Sequence, residues 1–372
     1  MTIIKRIIGL LVLIEVSSML ALYVASRVPG INLVYTPPKN ISLTDYLEGR
    51  DQLTGWPTKK LLNSRHFDIN GARPNPFLVD NDSIVIQVFG DSFARGAEVD
   101  NEHCWSNLMA KEEGIKVMNY GVDGYGTDQA YLRYTTKTSE EQHINLVGFT
   151  SDNIMRNVNT YRNLLSADMS YIGIKPRFVI DDTGSIQLQG LDKSLDIKKL
   201  DNIINNPKEN LKSEYFLSSE GPQYFILPFS ISFLKLFNHY LIKSKLTNKS
   251  FYHEFFSSEH PSLALETTAQ VLAKFSTPNN KVRTLFLFFP QEQDFYHYTK
   301  HNEWIYEPLI RTLREKNSKF KVLNIGEYFV SQDNFENNIS SYLAPRKHYN
   351  EKGNRVVAEA ISNKLSELKW TN

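Results

Sequence analysis

Val85-Ile86-Gln87-Val88-Phe89-Gly90-Asp91-Ser92-Phe93 decides how this chain is read. The short, mostly apolar and β-branched run reads as an inner strand, and Gly90 permits a sharp exit from it. Ser92 then stands where a strand ends and a helix begins, beside free backbone N–H groups and the positive end of a helix dipole. Such groups are what an oxyanion requires, so Ser92 is a candidate nucleophile. The same tripeptide also suits plain helix capping by Asp91 or Ser92.

Working outward, further strands are expected at 84–89, 116–120, 146–149, 283–289 and 320–325. Helical patterns separate them at 105–113, 128–136, 263–275, 304–315 and 351–368, the last with the clearest period. Alternation of this kind predicts an α/β fold: a three-layer, doubly wound, mainly five-stranded parallel sheet, with its site outside the carboxyl ends of the strands. Ser92, Gly124, Asp152 and Asn153 all fall just past such ends. The pattern is lost over about 155–262, an inserted subregion expected to overhang the site. Within it, 178–188 alternates around a Gly-containing turn and reads as a hairpin.

Two more segments matter. Asn119-Tyr120-Gly121-Val122-Asp123-Gly124-Tyr125-Gly126-Thr127-Asp128-Gln129 lies downstream, and His348-Tyr349-Asn350-Glu351-Lys352-Gly353-Asn354 lies near the C-terminus. With the Gly-Asp-Ser block, these segments resemble the SGNH (GDSL-type) hydrolase superfamily, as a membrane-anchored bacterial-type member, over roughly residues 43–368. The resemblance implies a flavodoxin-like sheet, Ser92 as nucleophile, His348 as base, and an oxyanion hole built from Ser92, Gly124 and a third-block asparagine. No cofactor is implied.

The third block departs from the family pattern. After Leu146-Val147-Gly148-Phe149 the family shows Asn-Asp, whereas this chain reads Ser151-Asp152-Asn153. Alignment puts Asp152 at the asparagine's place, and an ionised carboxylate opposes a developing oxyanion. Either Asn153 takes that role, or the hole relies on backbone donors. The family's aspartate three residues before the histidine is Pro345 here. A Ser92–His348 dyad is therefore expected, its ring oriented by a backbone carbonyl or a distant acid.

Taken alone, His348 also suits a surface position before a helix, with Asn350 as N-cap and Val356, Val357, Ala360, Ile361 and Leu365 as the apolar face. Of the remaining histidines only His297 and His301 have i, i+4 spacing. The glutamate of a His-Glu-x-x-His site is missing, and Cys104 is the single cysteine, so no metal is expected. Cys104 reads as helix packing. With 42 basic and 41 acidic residues, and no basic run interleaved with aromatics, nucleic acid is not an expected partner. A hydrophobic fraction of 41% is ample for a core.

Lys5 and Arg6 precede an apolar stretch, 7–25, whose only charge is Glu15, and Arg27 with Pro29 closes it. Its length suits a membrane-spanning helix with the basic end cytoplasmic, and a signal peptide cleaved near Val24-Ala25-Ser26 is the competing reading. A mid-span Glu15 costs about 2.5–3.5 kcal/mol and marks a helix contact. The expected organisation is an anchor over 1–27, a linker over 28–42, and a domain over 43–372 on the periplasmic or extracellular side of the cytoplasmic membrane. The lead-in Gly55-Trp56-Pro57 and Asn70-Gly71-Ala72-Arg73 has no evident role beyond packing of Trp56. Residues 224–242 are aromatic and aliphatic but interrupted by Pro228, Lys235, Asn238 and His239, so a buried or interfacial helix is expected there rather than a second span, with burial preferred. Arg156, Asn157, Asn159 and Arg162 read as a solvated face, with pocket lining as the alternative.

These readings lead to acyl-ester chemistry through a Ser92 acyl-enzyme: an esterase with water as acceptor, an O-acyltransferase with a sugar hydroxyl. Anchored relatives modify cell-envelope or exported polysaccharide, which makes a small-molecule or glycan ester the expected substrate. The alternative is a catalytically weak glycan-binding or envelope-assembly module.

Overall fold

The computed structural model describes residues 2–28, 32–39, 41–78, 85–137, 143–166, 171–211, 213–276, 282–332 and 338–371. The chain divides into two compact units. One comprises Met1–Arg50, Asn159–Lys175 and Leu191–Phe251; the other comprises Asp51–Val158, Pro176–Gly190 and Tyr252–Asn372.

The second unit holds the sheet. Its strands are β1 (Val85–Phe89), β2 (Lys116–Asn119), β3 (His143–Phe149), a β4–β5 hairpin (Arg177–Ile180 and Ile186–Gln189), β6 (Val282–Phe288) and β7 (Lys321–Asn324). The order β2-β1-β3-β6-β7 is parallel throughout, so this is the doubly wound α/β sheet that the alternating pattern predicts. The chain leaves β1 for β2 on one side and reaches β3 on the other, which opens a crevice at the carboxyl ends of β1 and β3. β3 is buried along its whole length, as a central strand covered on both faces must be.

Several boundaries moved for local reasons. The expected strand at 84–89 begins at Val85, Ile84 lying outside the described residues. β3 starts at His143 rather than 146, because two polar residues, His143 and Asn145, are buried in it. The strand expected through 325 stops at Asn324, whose side chain accepts the Gly326 N–H at 3.0 Å and starts a helix, Ile325–Val330. The helix expected from 304 begins at Glu307, because Trp304 and Tyr306 turn into the core and Pro308 sits in the first turn. The helices Trp105–Glu113, Thr127–Lys137, Ala264–Ala273 and Glu351–Glu367 lie within a residue or two of expectation. The β4–β5 hairpin forms as read and belongs to the sheet unit, where Phe178 packs with Leu132 and Val271.

In the other unit, Thr2–Ala25 is one helix, and Ile3–Ala25 is long and apolar enough to cross a membrane. Residues 224–242 differ from the preferred expectation of burial. They form the helix Phe229–Lys235, a short turn Leu236–Asn238 and the helix Tyr240–Thr247. Instead of being buried, Ile226, Leu227, Ile231, Leu234 and Phe237 are exposed. Ser232, Leu236, His239 and Tyr240 are buried, and Phe229 and Phe233 are half-buried against the cluster of Leu22, Val34 and Leu236.

Candidate active site

The site grows from the turn after β1. Gly90 has φ 150°, and a Cβ there would lie 2.6 Å from Ala94 Cβ and 3.0 Å from the Gly148 carbonyl, so the turn admits no side chain. Asp91 is the cap of the following helix, accepting the Phe93 N–H at 2.9 Å. Its other oxygen takes the Thr150 hydroxyl at 2.5 Å, the Asn153 amide at 3.2 Å and the Arg156 guanidinium at 3.3 Å. Capping therefore falls to Asp91, and the Ser92 hydroxyl is left to another partner.

That partner is His348. Its Nε2 lies 2.8 Å from Ser92 Oγ, and its Nδ1 lies 2.7 Å from Glu98 Oε2. A carboxylate only accepts, so Nδ1 carries the proton and Nε2 accepts from the serine. Glu98 also accepts the His348 N–H at 3.1 Å and the Arg346 N–H at 2.9 Å, gripping the histidine loop from below. Burial pushes the Glu98 carboxyl upward, but the bonds from Arg346 and His348 outweigh it and hold the group below the usual carboxylate range. The Phe93 ring packs against the imidazole at 5.0 Å between centroids.

Glu98 is the residue that sequence reasoning missed. It is the distant acid that the expected dyad left unnamed, six positions after the serine instead of three before the histidine, and it makes the dyad a three-membered chain. Glu98 has φ 67°, a left-handed conformation costing about 1–2 kcal/mol for a residue with a Cβ. Arg73 holds the loop against that cost: it donates to the carbonyls of Gly96 at 2.6 Å, Val99 at 2.6 Å and Arg95 at 3.0 Å, and to Asn101 Oδ1 at 3.0 Å. The lead-in segment thus has a role. Trp56 is buried and donates to the Asp123 carbonyl at 3.1 Å, while Tyr125 donates to the Trp56 carbonyl at 2.7 Å, bracing the Gly124 turn.

Ser92, Glu98, Gly124, Asp152, Arg156 and His348 line one cavity of about 910 Å³. Gly124, at φ 76°, and Ser92 bring backbone to its wall. The third block divides differently from expectation. Asn153 is buried beneath the site with its amide turned to Asp91, and Asp152 faces the cavity. One of the two amide N–H groups of Asn153 is given to Asp91. Asp152 is not a bare charge: it pairs with Arg156 one helical turn on, and its N–H donates to Gln291 Oε1 at 3.2 Å. Behind it, Asp294 accepts from Ser151 Oγ at 2.8 Å and from the Gln291 N–H at 2.8 Å. Burial pushes Asp294 up to about 7; those two bonds oppose the shift and the Asp152 charge adds to it.

The polar run after Asp152 is no solvated face. Arg156 lines the cavity, Asn157 is buried and bonds Thr268 at 2.8 Å, and Asn159 is buried in the other unit, as a donor to Glu214 at 3.2 Å. Arg162 also lies in that unit. Cys104 is fully buried at the start of the helix Trp105–Glu113.

No protein-family model and no curated protein matches the chain. Among solved structures it is similar to a member of the lipolytic protein G-D-S-L family from Veillonella parvula, at 11% identity and a TM-score of 0.35, over 76% of this chain and 99% of that one. It is also similar to an alpha/beta hydrolase enzyme from the metagenome of Lake Arreo, Spain, at 11% identity and a TM-score of 0.34, over 80% of this chain and 99% of that one. At such identities and scores, the reading of the site rests on its own geometry.

Proposed function

We propose that the sheet unit transfers an acyl group from an ester through an acyl-enzyme on Ser92. The observation that supports this is the unbroken chain from Ser92 Oγ to His348 at 2.8 Å and on to Glu98 at 2.7 Å, at the wall of an open cavity. Ser92 Oγ bonds to the ester carbonyl carbon as its proton passes to His348 Nε2. The backbone N–H groups of Ser92 and Gly124 receive the oxyanion. The ester C–O bond then breaks, and the leaving alcohol takes the proton from His348. A second hydroxyl attacks the acyl carbon, gives its proton to His348, and Ser92 leaves reprotonated. Glu98 holds the ring and offsets the charge that forms on it. Arg156, shared between Asp152 and the buried Asp91, partly offsets the third-block carboxylate's opposition to the oxyanion.

The cavity wall is polar, with Arg65, Arg95, Arg346 and Asp123 against Phe93 and Val99. That supports a short acyl group on a polar carrier: an acetylated carbohydrate or cell-envelope polysaccharide, with water or a sugar hydroxyl as acceptor. The N-terminal helix then serves as an uncleaved anchor in the cytoplasmic membrane, the body of the chain lying on the periplasmic or extracellular side. Ser18 and Leu22 are buried against chain that a cleaved leader would leave bare, which favours the anchor over a signal peptide.

Purified full-length protein in detergent should label with a fluorophosphonate and cleave a chromogenic acetate, and Ser92→Ala should abolish both. A folded wild-type chain that neither labels nor cleaves would overturn the reading. Mass analysis of products with sugar acceptors present separates transfer from hydrolysis.

A further inference from the structure

The anchor reading leaves one group unaccounted for: Glu15, midway along an otherwise uncharged apolar helix. The residues that meet it are in the segment read from sequence as a buried or interfacial helix. The Glu15 carboxylate accepts the Phe229 N–H at 2.6 Å and bonds the N–H and hydroxyl of Ser230, groups that no turn of their own helix can satisfy. Seven residues on from Glu15 and from Phe229, Leu22 and Leu236 meet in one apolar cluster with Val34. The helix Phe229–Lys235 therefore runs parallel to the N-terminal helix and in step with it, from the level of Glu15 outward. The stripe Glu15, Ser18, Leu22 and Ala25 faces it.

Both ends of the excursion are tied at the other level, just past the end of the N-terminal helix. Gln223 pairs with the 33–35 backbone, donating to the Leu33 carbonyl at 2.9 Å and accepting from Tyr35 at 2.8 Å, and His239 Nε2 lies 3.2 Å from the Asn32 carbonyl. Between these ties, 225–234 carries no charge, and Ile226, Leu227, Ile231 and Leu234 are 49% to 71% exposed. In water this would be a contiguous apolar patch without a partner. Its depth says what covers it. From Glu15 to Ala25 a helix rises about 15 Å, half of the roughly 30 Å hydrocarbon layer. The patch thus occupies the outer half of the same layer that the exposed side chains of the N-terminal helix occupy.

We infer that residues 224–238 are a re-entrant membrane segment: they enter the hydrocarbon layer from the side where the N-terminal helix ends, turn at the level of Glu15, and return as the helix Phe229–Lys235 with Ile226, Leu227, Ile231 and Leu234 against lipid chains. Irregular backbone at membrane depth needs its polar groups satisfied by protein, and Glu15 does this for the N–H groups at the turn. Lys235 lies toward the surface end, where its long side chain reaches the headgroups. The inference rests on the N-terminal helix being a membrane span.

The test uses the full chain in phosphatidylcholine–phosphatidylglycerol vesicles, with an environment-sensitive fluorophore on a cysteine introduced singly as Leu11→Cys, Leu227→Cys or Leu234→Cys. Cys104 is buried, and the parent chain, which should take up no label, is the control. The Leu227 and Leu234 labels should lose most of their emission to lipids bearing a spin label in the acyl chain and little to aqueous iodide, with the Leu227 label favouring the deeper-placed quencher. Iodide quenching at both sites, or shielding from both quenchers by covering protein, would overturn the inference provided the Leu11 label is quenched by lipid. A Leu11 label quenched by iodide would instead bring down the anchor reading beneath it.

Discussion

Around Ser92 the large aromatic side chains are inside and the charged groups line a wet cavity; along 225–237 the large apolar side chains are outside and the one carboxylate that meets them is tucked between helices. Both regions tie down their carboxylates, and they do so for different surroundings. At the cavity, Glu98 and Asp91 are each held by several donors beside the Ser92–His348 pair. At Glu15 a single carboxylate accepts the N–H groups at the open end of a short helix, which the proposed membrane setting would otherwise leave without water. Burial pattern only has meaning relative to a solvent, and the proposed membrane segment would face a second one.

The contrast can be broken most forcefully at the hydroxyl. Ser92→Ala should lower ester turnover by about 10⁴-fold or more while leaving the fold intact, as read by acetate cleavage and by circular dichroism. An unchanged rate would remove the active-site half of the comparison. Glu98→Gln tests whether the acid acts through the ring: the amide can present a donor where the imidazole N–H needs an acceptor, so kcat should fall about 10²- to 10⁴-fold with the KM for acetate nearly unchanged. A rate within a few-fold of wild type would mean that Glu98 only shapes the loop.

Asp294 sharpens the comparison as a carboxylate sealed from solvent. Its folded-state value of about 7 lies above the ordinary 3.8, so the folded state keeps a proton that the unfolded chain has released between those values. Stability therefore falls as pH rises through that window, by about 1.4 kcal/mol per unit, and levels off above it. Asp294→Asn, the neutral analogue, should flatten this decline in denaturant midpoints measured from acid to neutral pH. An undiminished slope would assign it to other groups. The smallest effect sharpens the membrane side: Leu227→Asp should cost about 2–3 kcal/mol in vesicles, seen as weaker retention of the 224–238 segment at depth, yet be harmless if that face meets water.

Much of the sheet unit is legible locally. β1, its Gly-Asp-Ser exit, and the helices Trp105–Glu113 and Glu351–Glu367 follow from periodicity and capping, which involve residues only a few positions apart. The Ser92–His348 pairing was suggested by the order of the blocks. Glu98 was not legible: between Ala97 and Val99 a lone glutamate reads as surface charge, and its role depends on a left-handed turn held by Arg73 from a distant segment. The choice between Asp152 and Asn153 also lay beyond sequence, since a one-residue step on a helix swings a side chain by about 100° from cavity to core.

What the amino-acid order determined alone was whatever short-range sterics and hydrophobic periodicity dictate: the alternating strands and helices, the sharp turn at Gly90, and an N-terminal helix of membrane length. Tertiary structure decided which carboxylate meets His348, which third-block residue faces the cavity, and that 224–238 turns its apolar side outward beside Glu15. Those outcomes depend on contacts between residues tens to hundreds of positions apart, and no local energy term carries that information.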